Sequence, residues 1–372
     1  MKICLIGPTH PFRGGIAHHT TLLYRALRKT HTVHFYAFKR QYPGWMFPGK
    51  TDVDGSEMSI REEGAEAVLD SLNPLSWWSV FRKIKEQDPE LVIIPWWVSF
   101  WTPHFLSLST LLRAFTRAKI LFLCHNVVAH ESGFLDEVCA KAVLKKGHFF
   151  LVHSDEDMNN LKRMLPAARA KKVYHPSYDV FNFRNVSKDE ARRRLGLSGR
   201  ILLFFGFVRP YKGLTYLVEA IPLIHRRFDV TLLVVGEFWE KVEPFLRRIE
   251  ELGIRDSVRI VNEYVPNEDI QLYFAASDLV VLPYLSGTGS GIVQMSFGFD
   301  RPVVATKVGS LPDVVQDGMT GFLVEPGNSK AIAEAVIRYY AEDNEAGFAR
   351  HIAGEKTKFS WDRMVGVIES FF

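Results

Sequence analysis

Two cations stand between two glycines in the segment Gly206-Phe-Val-Arg209-Pro-Tyr-Lys212-Gly213. The segment follows the apolar run 201–205 and precedes the helix-like stretch 214–220. A strand that ends in a glycine turn before a helix directs backbone N–H groups toward one point, and the two side chains add positive charge there. This combination predicts a site for the phosphates of a nucleoside diphosphate. The alternative is a surface turn that carries two solvated cations.

Two other glycine-containing stretches are suited to phosphate. Gly14-Gly15 comes before a predicted helix, and the loop Thr288-Gly289-Ser290-Gly291 offers backbone donors ahead of a second helix that includes Gln294. Glu237 follows a glycine at a predicted strand end, where it could contact the same ligand. Each of these features also has an ordinary structural interpretation. The glycines could simply form turns, Gln294 could be packed within its helix, and Glu237 could be a solvated side chain.

His125 and Asn126 directly follow the apolar run 120–124, so they should lie at the end of a buried strand. Functional groups collect at the carboxyl ends of parallel strands, although a histidine there is commonly a structural residue. His18-His19 and His130-Glu131 lack a third and fourth metal ligand at a suitable spacing, so we expect no essential metal.

The fold must hold these residues in position. Strand-like and helix-like segments alternate along the chain, which predicts a parallel α/β sheet in each half. We expect two doubly wound, Rossmann-like domains of residues 1–180 and 181–356, whose strand ends face a cleft. The predicted strands are 2–7, 31–38, 91–95, 119–124 and 149–153, then 201–205, 230–235, 257–261, 279–283 and 303–305. The predicted helices are 16–28, 74–85, 105–115 and 135–145, then 214–226, 244–252, 270–276 and 292–297.

Length and composition limit the classes to which this protein can belong. The chain has 372 residues, 47% of them apolar, which suits two globular domains with cores of their own. The opening apolar run 1–7 is too short for a secretion signal, and no run approaches the roughly 18 to 20 apolar residues of a bilayer-spanning helix. The three cysteines have no ligand-like spacing. We therefore expect a cytoplasmic protein with reduced thiols.

Charge is unevenly distributed. The net charge is +4, but residues 1–180 contain 23 Lys and Arg against 17 Asp and Glu, so the remaining residues carry 23 and 25. A basic first half indicates an anionic partner, such as the inner face of a membrane, or simply a solvated basic face. We expect no nucleic-acid partner.

The order and spacing of several segments resemble the family-4 retaining glycosyltransferases of the GT-B fold. The resemblance covers nearly the whole chain and is strongest from residue 200 to 325. The segments that carry it are Gly14-Gly15, His125-Asn126, Gly206 to Gly213, Asn262 to Asp269, Tyr273 to Pro283, Arg301 to Thr306 and Gly309 to Gly321.

This resemblance implies an enzyme that moves a hexose from a nucleotide sugar to a saccharide or lipid-linked saccharide in surface polysaccharide synthesis. It implies that Arg209 and Lys212 stabilise the departing diphosphate and that His125 lies beside the donor sugar. Gly14, Gly15 and the loop 288–291 would approach the donor phosphates. The resemblance also implies that a terminal helix, 357–372, packs back on the first domain.

The chain departs from the family pattern at three positions. Phe207 stands where relatives more often have the arginine, so that Arg209 is displaced by two residues. Many relatives have a pair of glutamates before the segment Arg301-Pro-Val-Val, and here Gly287 and Met295 occupy those positions. The missing glutamates leave open a second function, a nucleotide-sugar sensor of the same fold without catalysis.

The acceptor should bind the first domain, where Trp96, Trp97 and Trp101 follow a predicted strand and Asn126 is a further predicted contact. Aromatic rings stack on sugars, and beside basic residues they also suit a membrane interface. Any one of these rings could equally be an ordinary core residue.

Overall fold

The computed structural model describes residues 1–46, 49–128 and 133–372. His130 and Glu131, considered above as metal ligands, lie outside these described residues. The chain forms two compact units: 1–55, 59–174 and 361–372 make up the first, and 56–58 and 175–360 the second. The division therefore comes earlier than the predicted boundary at 180. Residues after 174 pair within the second unit, as when the Ser177 N–H donates to the Phe359 carbonyl at 2.8 Å.

The described part of the first unit contains a seven-stranded parallel sheet in the order β3-β2-β1-β4-β5-β6-β7. Its central strands are continuous apolar runs because helices cover both faces, and all six residues of β4 are buried. The strands are β1 Lys2–Gly7, β2 Thr32–Arg40, β3 Ala65–Asp70, β4 Leu91–Trp96, β5 Lys119–Cys124, β6 Phe149–Val152 and β7 Ala170–Lys172.

Helices pack on both faces of this first sheet. On one face, α2 and α3 contribute Val80, Phe81 and Phe105 to a large buried cluster. On the other face, the terminal helix α14 places Met364 and Ile368 against β1 and β4 side chains. The helices of the unit are α1 Gly15–Leu27, α2 Pro74–Gln87, α3 Thr102–Phe115, α4 Phe134–Leu144, α5 Asp155–Met164 and α14 Trp361–Glu369.

The described part of the second unit contains a six-stranded parallel sheet in the order β10-β9-β8-β11-β12-β13. The strands are β8 Arg200–Phe205, β9 Val230–Val235, β10 Val258–Val261, β11 Leu279–Leu282, β12 Val303–Thr306 and β13 Gly321–Val324. The helices are α6 Lys188–Leu195, α7 Leu214–His225, α8 Glu243–Glu251, α9 Asn267–Ala276, α10 Gly291–Gly298, α11 Leu311–Val314, α12 Ser329–Ala341 and α13 Glu345–Glu355. The prediction of two doubly wound parallel domains is confirmed.

The order of the second sheet reverses between β8 and β11, because the chain runs outward from β8 to β10 and then returns to β11. Ligands bind doubly wound sheets at such a reversal, outside the carboxyl ends of the strands. The turn after β8 and the loop after β11 both lie at this edge. Among the described residues, no helix has both the length and the apolar composition needed to cross a membrane.

Candidate functional site

The turn between β8 and α7 is fixed to the neighbouring strand ends. The Gly206 N–H donates to the Val235 carbonyl at 2.9 Å, and the Leu285 N–H donates to the Tyr211 carbonyl at 2.7 Å. Residues Pro210–Lys212 form a single 3₁₀ turn that ends at Gly213. A Cβ on Gly236 would stand 2.2 Å from the Gly206 carbonyl oxygen, so glycine there allows the ends of β8 and β9 to approach.

Lys212 folds back over the start of its own turn. A Cβ on Gly206 would lie 3.1 Å from Lys212 Nζ and 3.2 Å from Cδ1 of Ile292, so the ammonium and the first turn of α10 both lie beside that glycine. Lys212 is only 7% exposed and forms no ion pair with any described carboxylate. Burial and the nearby charge of Arg209 lower the pKa of Lys212 to about 7. A buried ammonium in this environment is stabilised when an anion binds beside it.

Arg209 lies over aromatic rings. Its guanidinium carbon is 5.3 Å from the centre of the Tyr211 ring and 5.6 Å from that of Trp239. The Trp239 ring in turn stacks on Phe207, with ring centres 4.3 Å apart and planes at 26°. These contacts hold the guanidinium by cation–π attraction close enough to Lys212 to lower its pKa. The structure therefore brings both predicted cations together.

The glycine-rich loop before α10 is held in place by hydrogen bonds. The Ser310 N–H donates to the Thr288 carbonyl at 2.8 Å, and Ser290 Oγ accepts from the Ile292 N–H at 3.2 Å as the helix cap. The Tyr284 hydroxyl lies 3.1 Å from the same Ser290 oxygen. The loop thus presents the amino end of α10 beside Lys212, an arrangement that favours a bound anion.

Gln294 is buried in α10 with 1% of its surface exposed. Its Oε1 accepts no hydrogen bond from any residue within the described ranges. A buried polar atom is costly unless it finds a partner, so this amide is available to a donor such as a ligand hydroxyl. Glu237 is also buried, at 4% exposure, and its carbonyl accepts from the Val208 N–H at 2.9 Å.

The predicted residues of the first unit lie at the carboxyl edge of its sheet. The His125 N–H donates to the Trp96 carbonyl at 2.9 Å, and Asn126 Nδ2 donates to the Trp97 carbonyl at 3.3 Å. Gly14 caps α1, which begins at Gly15. A Cβ at either glycine would meet no described atom within 4 Å.

The three tryptophans predicted to contact the acceptor belong to the first core. Trp96, Trp97 and Trp101 are 2%, 8% and 1% exposed, and Trp101 packs on Phe38 with ring centres 4.6 Å apart. The Trp97 Nε1–H is satisfied by the Tyr42 hydroxyl at 3.0 Å. Because buried rings offer no face to a sugar, the prediction that these rings stack on an acceptor is corrected in favour of the core alternative.

Sequence reasoning missed two aromatic residues near the cations. Trp239 was not considered, although it follows the β9 end within the stretch Gly236-Glu-Phe-Trp239. Tyr284 lies two residues after β11, and its ring centre is 5.6 Å from Lys212 Nζ. Aromatic residues just after strand ends were the available signal, because those positions surround a ligand in this type of sheet.

Comparison with known proteins adds independent information. The family model for glycosyl transferases group 1 matches residues 199–342, which include every site feature of the second unit described above. The D-inositol 3-phosphate glycosyltransferase of Corynebacterium glutamicum (strain R) is 25% identical over 285 residues, 70% of this chain and 68% of that protein. For other relatives of that name, the chain spans between about half and two thirds of their length.

Longer matches cover both units. The GDP-mannose-dependent alpha-(1-6)-phosphatidylinositol monomannoside mannosyltransferase of Mycolicibacterium smegmatis is 26% identical over 363 residues, 92% of this chain and 90% of that one. The solved structure of Anabaena HepE in complex with UDP matches all of both chains with a TM-score of 0.76 and 19% identity. Residues 199–342 therefore match the glycosyl transferases group 1, and the chain as a whole has the two Rossmann-like domains of the GT-B fold.

Proposed function

We propose that this protein transfers a hexose from a nucleoside-diphosphate sugar to a saccharide or lipid-linked saccharide, with retention of the anomeric configuration. The observation that carries the proposal is Lys212, a buried ammonium beside Arg209 and the amino end of α10 without a described carboxylate partner. When the bond between the anomeric carbon and the β-phosphate oxygen breaks, negative charge develops on that oxygen. Lys212 and Arg209 are the groups proposed to stabilise it.

The other predicted roles remain part of this proposal. The backbone of Gly206, Gly213 and the loop 288–291 would bind the phosphates, and the open Oε1 of Gln294 suits a ribose hydroxyl. His125 would contact the donor sugar, and Asn126 the acceptor. The structure of HepE with UDP, and further structures of that protein with UDP-glucose, support a nucleotide-sugar donor in this fold. The reaction as proposed requires no metal.

A lipid-linked acceptor is supported by the Mycolicibacterium relative, whose name specifies a phosphatidylinositol mannoside. The first unit also exposes large apolar side chains near basic residues: Leu75 and Trp78 on α2 are 77% and 49% exposed, and Lys85 Nζ lies 5.9 Å from the ring centre of Phe115. Such a surface suits peripheral contact with anionic lipid at the cytoplasmic face of a membrane. We propose a role in surface polysaccharide or glycolipid synthesis on this basis.

The test is a panel of nucleotide sugars incubated with the purified chain, with and without saccharide acceptors. Release of the nucleoside diphosphate would be followed by phosphorus NMR, and the anomeric configuration of the product by proton NMR. We expect one donor to be consumed and its anomeric configuration retained. The variant carrying both Arg209→Ala and Lys212→Ala serves as the control for contaminating activity. A tight complex without turnover would instead support the sensor function, and an inverted product would contradict retention.

The pH dependence of donor binding gives a separate prediction. Because burial and Arg209 lower the pKa of Lys212 to about 7, the unliganded side chain loses its proton as the pH rises above that value. An anionic ligand prefers the protonated form, so binding above pH 7 must take up a proton. We expect the Kd of a nucleotide sugar to rise by up to about tenfold per pH unit between about pH 7.5 and 9.5.

Isothermal titration calorimetry across that range would measure this dependence. Lys212→Arg is the matched control, because a guanidinium keeps its charge throughout and should give a flat profile. If Lys212→Arg retained the wild-type slope, Lys212 would not be the titrating group.

A further inference from the structure

We propose that His19, His125 and His153 form a binding site for a divalent transition-metal ion of the zinc class. One ring nitrogen from each histidine lies within 4.8 Å of the corresponding nitrogen of the other two. The ring centres of His19 and His125 are 4.6 Å apart, and that of His153 lies 5.7 and 5.5 Å from them. The proposal goes beyond the transfer reaction, which is proposed to need no metal.

The fold brings the three histidines together from distant parts of the sequence. His19 lies on the second turn of α1, which follows β1, while His125 and His153 come directly after β5 and β6. These strands are close neighbours in the sheet order β1-β4-β5-β6, so their carboxyl ends meet at one edge. Sequence spacing could not reveal this set, because its members are separated by 106 and 28 positions.

The protonation state of His153 suits metal binding. Its Nδ1 is 2.9 Å from the Val173 carbonyl, which can only accept, so Nδ1 carries the proton and Nε2 the lone pair. Metal-bound histidines are commonly oriented in this way by a carbonyl on their other nitrogen.

The donor set selects the class of ion. Three imidazole ligands suit zinc, cobalt, nickel or copper, whereas calcium and magnesium require oxygen ligands. With metal–nitrogen bonds of about 2.0 to 2.1 Å, tetrahedral ligand nitrogens stand about 3.4 Å apart. The histidine nitrogens, which lie within 4.8 Å of one another, would therefore need to approach by at most about 1.4 Å, a shift that small rotations of the rings can supply. The fourth coordination position would be open to water or another ligand.

A metal ion bound by these histidines would link α1, β5 and β6 of the first unit. His19 is fully buried and its ring packs on Trp361 of α14 at a centre-to-centre distance of 5.0 Å. A metal would therefore tie α1 to the ends of β5 and β6 next to the terminal helix. It would also engage the ring of His125, the residue proposed to contact the donor sugar.

The experiment uses the full chain, without a histidine tag and stripped by a chelator. Cobalt is added as the spectroscopic probe, and zinc is measured by equilibrium dialysis with elemental analysis. We expect one equivalent of either ion, with the visible absorption of a four-coordinate cobalt site. His19→Gln and His153→Gln should each weaken zinc binding by at least about tenfold. His351→Gln, on the exposed surface of α13, is the matched control and should bind as the wild type does.

The cobalt spectrum of the wild-type chain needs no variant, so it remains informative even where a substitution disturbs folding. The proposal would be overturned if added cobalt gave no spectrum other than the pale one of the hydrated, six-coordinate ion. Equal zinc binding by the wild type and by a folded double variant, His19→Gln with His153→Gln, would also overturn it. Neither measurement involves nucleotide or turnover. Failure of the metal-site proposal would therefore leave the transferase proposal unaffected, and failure of the transferase proposal would leave the metal-site proposal unaffected.

Discussion

Replacing Lys212 with alanine should lower the turnover number by about a hundredfold or more. The ammonium and the first turn of α10 both lie beside Gly206, and the amino end of that helix also favours an anion. The low exposure of Lys212 means that water would screen its charge poorly, so each interaction with a developing phosphate charge is strong. Steady-state kinetics with the donor identified by the nucleotide-sugar panel would measure the loss.

Two further variants separate the charge of Lys212 from its size. Lys212→Met keeps most of the apolar stem and should be as impaired as Lys212→Ala, because both remove the charge. Lys330→Ala is the control for loss of a lysine in the same unit, since Lys330 is solvent-exposed on α12 and forms a surface i,i+4 ion pair with Glu334. Turnover of Lys212→Ala within a few-fold of the wild type would remove this residue from the mechanism.

The strands were predictable wherever apolar residues run continuously. The run 201–205 is strand Arg200–Phe205, and the run 230–235 is strand Val230–Val235, because sheets covered on both faces demand such runs. Strand Ala65–Asp70 was missed, since it lies at the sheet edge and exposes Glu66. The short helix Asp155–Met164 was also missed, because seven of its ten residues are charged or polar and only a narrow face is buried.

The charged residues of the candidate site could be predicted from the sequence, but the aromatic contacts around them could not. The glycines and cations of 206–213 are local features of the sequence, and the structure brings Arg209 and Lys212 together as expected. The stacking of Phe207 on Trp239 depends on how β8 and β9 pair, which the sequence does not state. For the same reason, the sequence could not decide that Trp96 and Trp101 face the core.

Replacing Gly213 with alanine should destabilise the second unit by about 3 kcal/mol or more. Gly213 has φ +65°, a conformation that costs other residues about 1 to 2 kcal/mol. In addition, a Cβ there would stand 2.1 Å from the carbonyl oxygen of Pro283. That oxygen belongs to the backbone just after β11, so neither atom can move without displacing the turn or the strand end.

Gly253 provides a matched control for the conformational part of this cost. It has φ +64°, nearly the same as Gly213, but a Cβ there would meet no described atom within 4 Å. Gly253→Ala should therefore lose only about 1 to 2 kcal/mol, and the difference between the two variants measures the contact with Pro283. Urea unfolding of both variants, followed by circular dichroism, would give the two free energies. Equal losses would show that the turn tolerates the extra carbon. A larger loss for Gly213→Ala, with donor binding weakened in the folded fraction, would show that close packing on β11 is what positions Lys212.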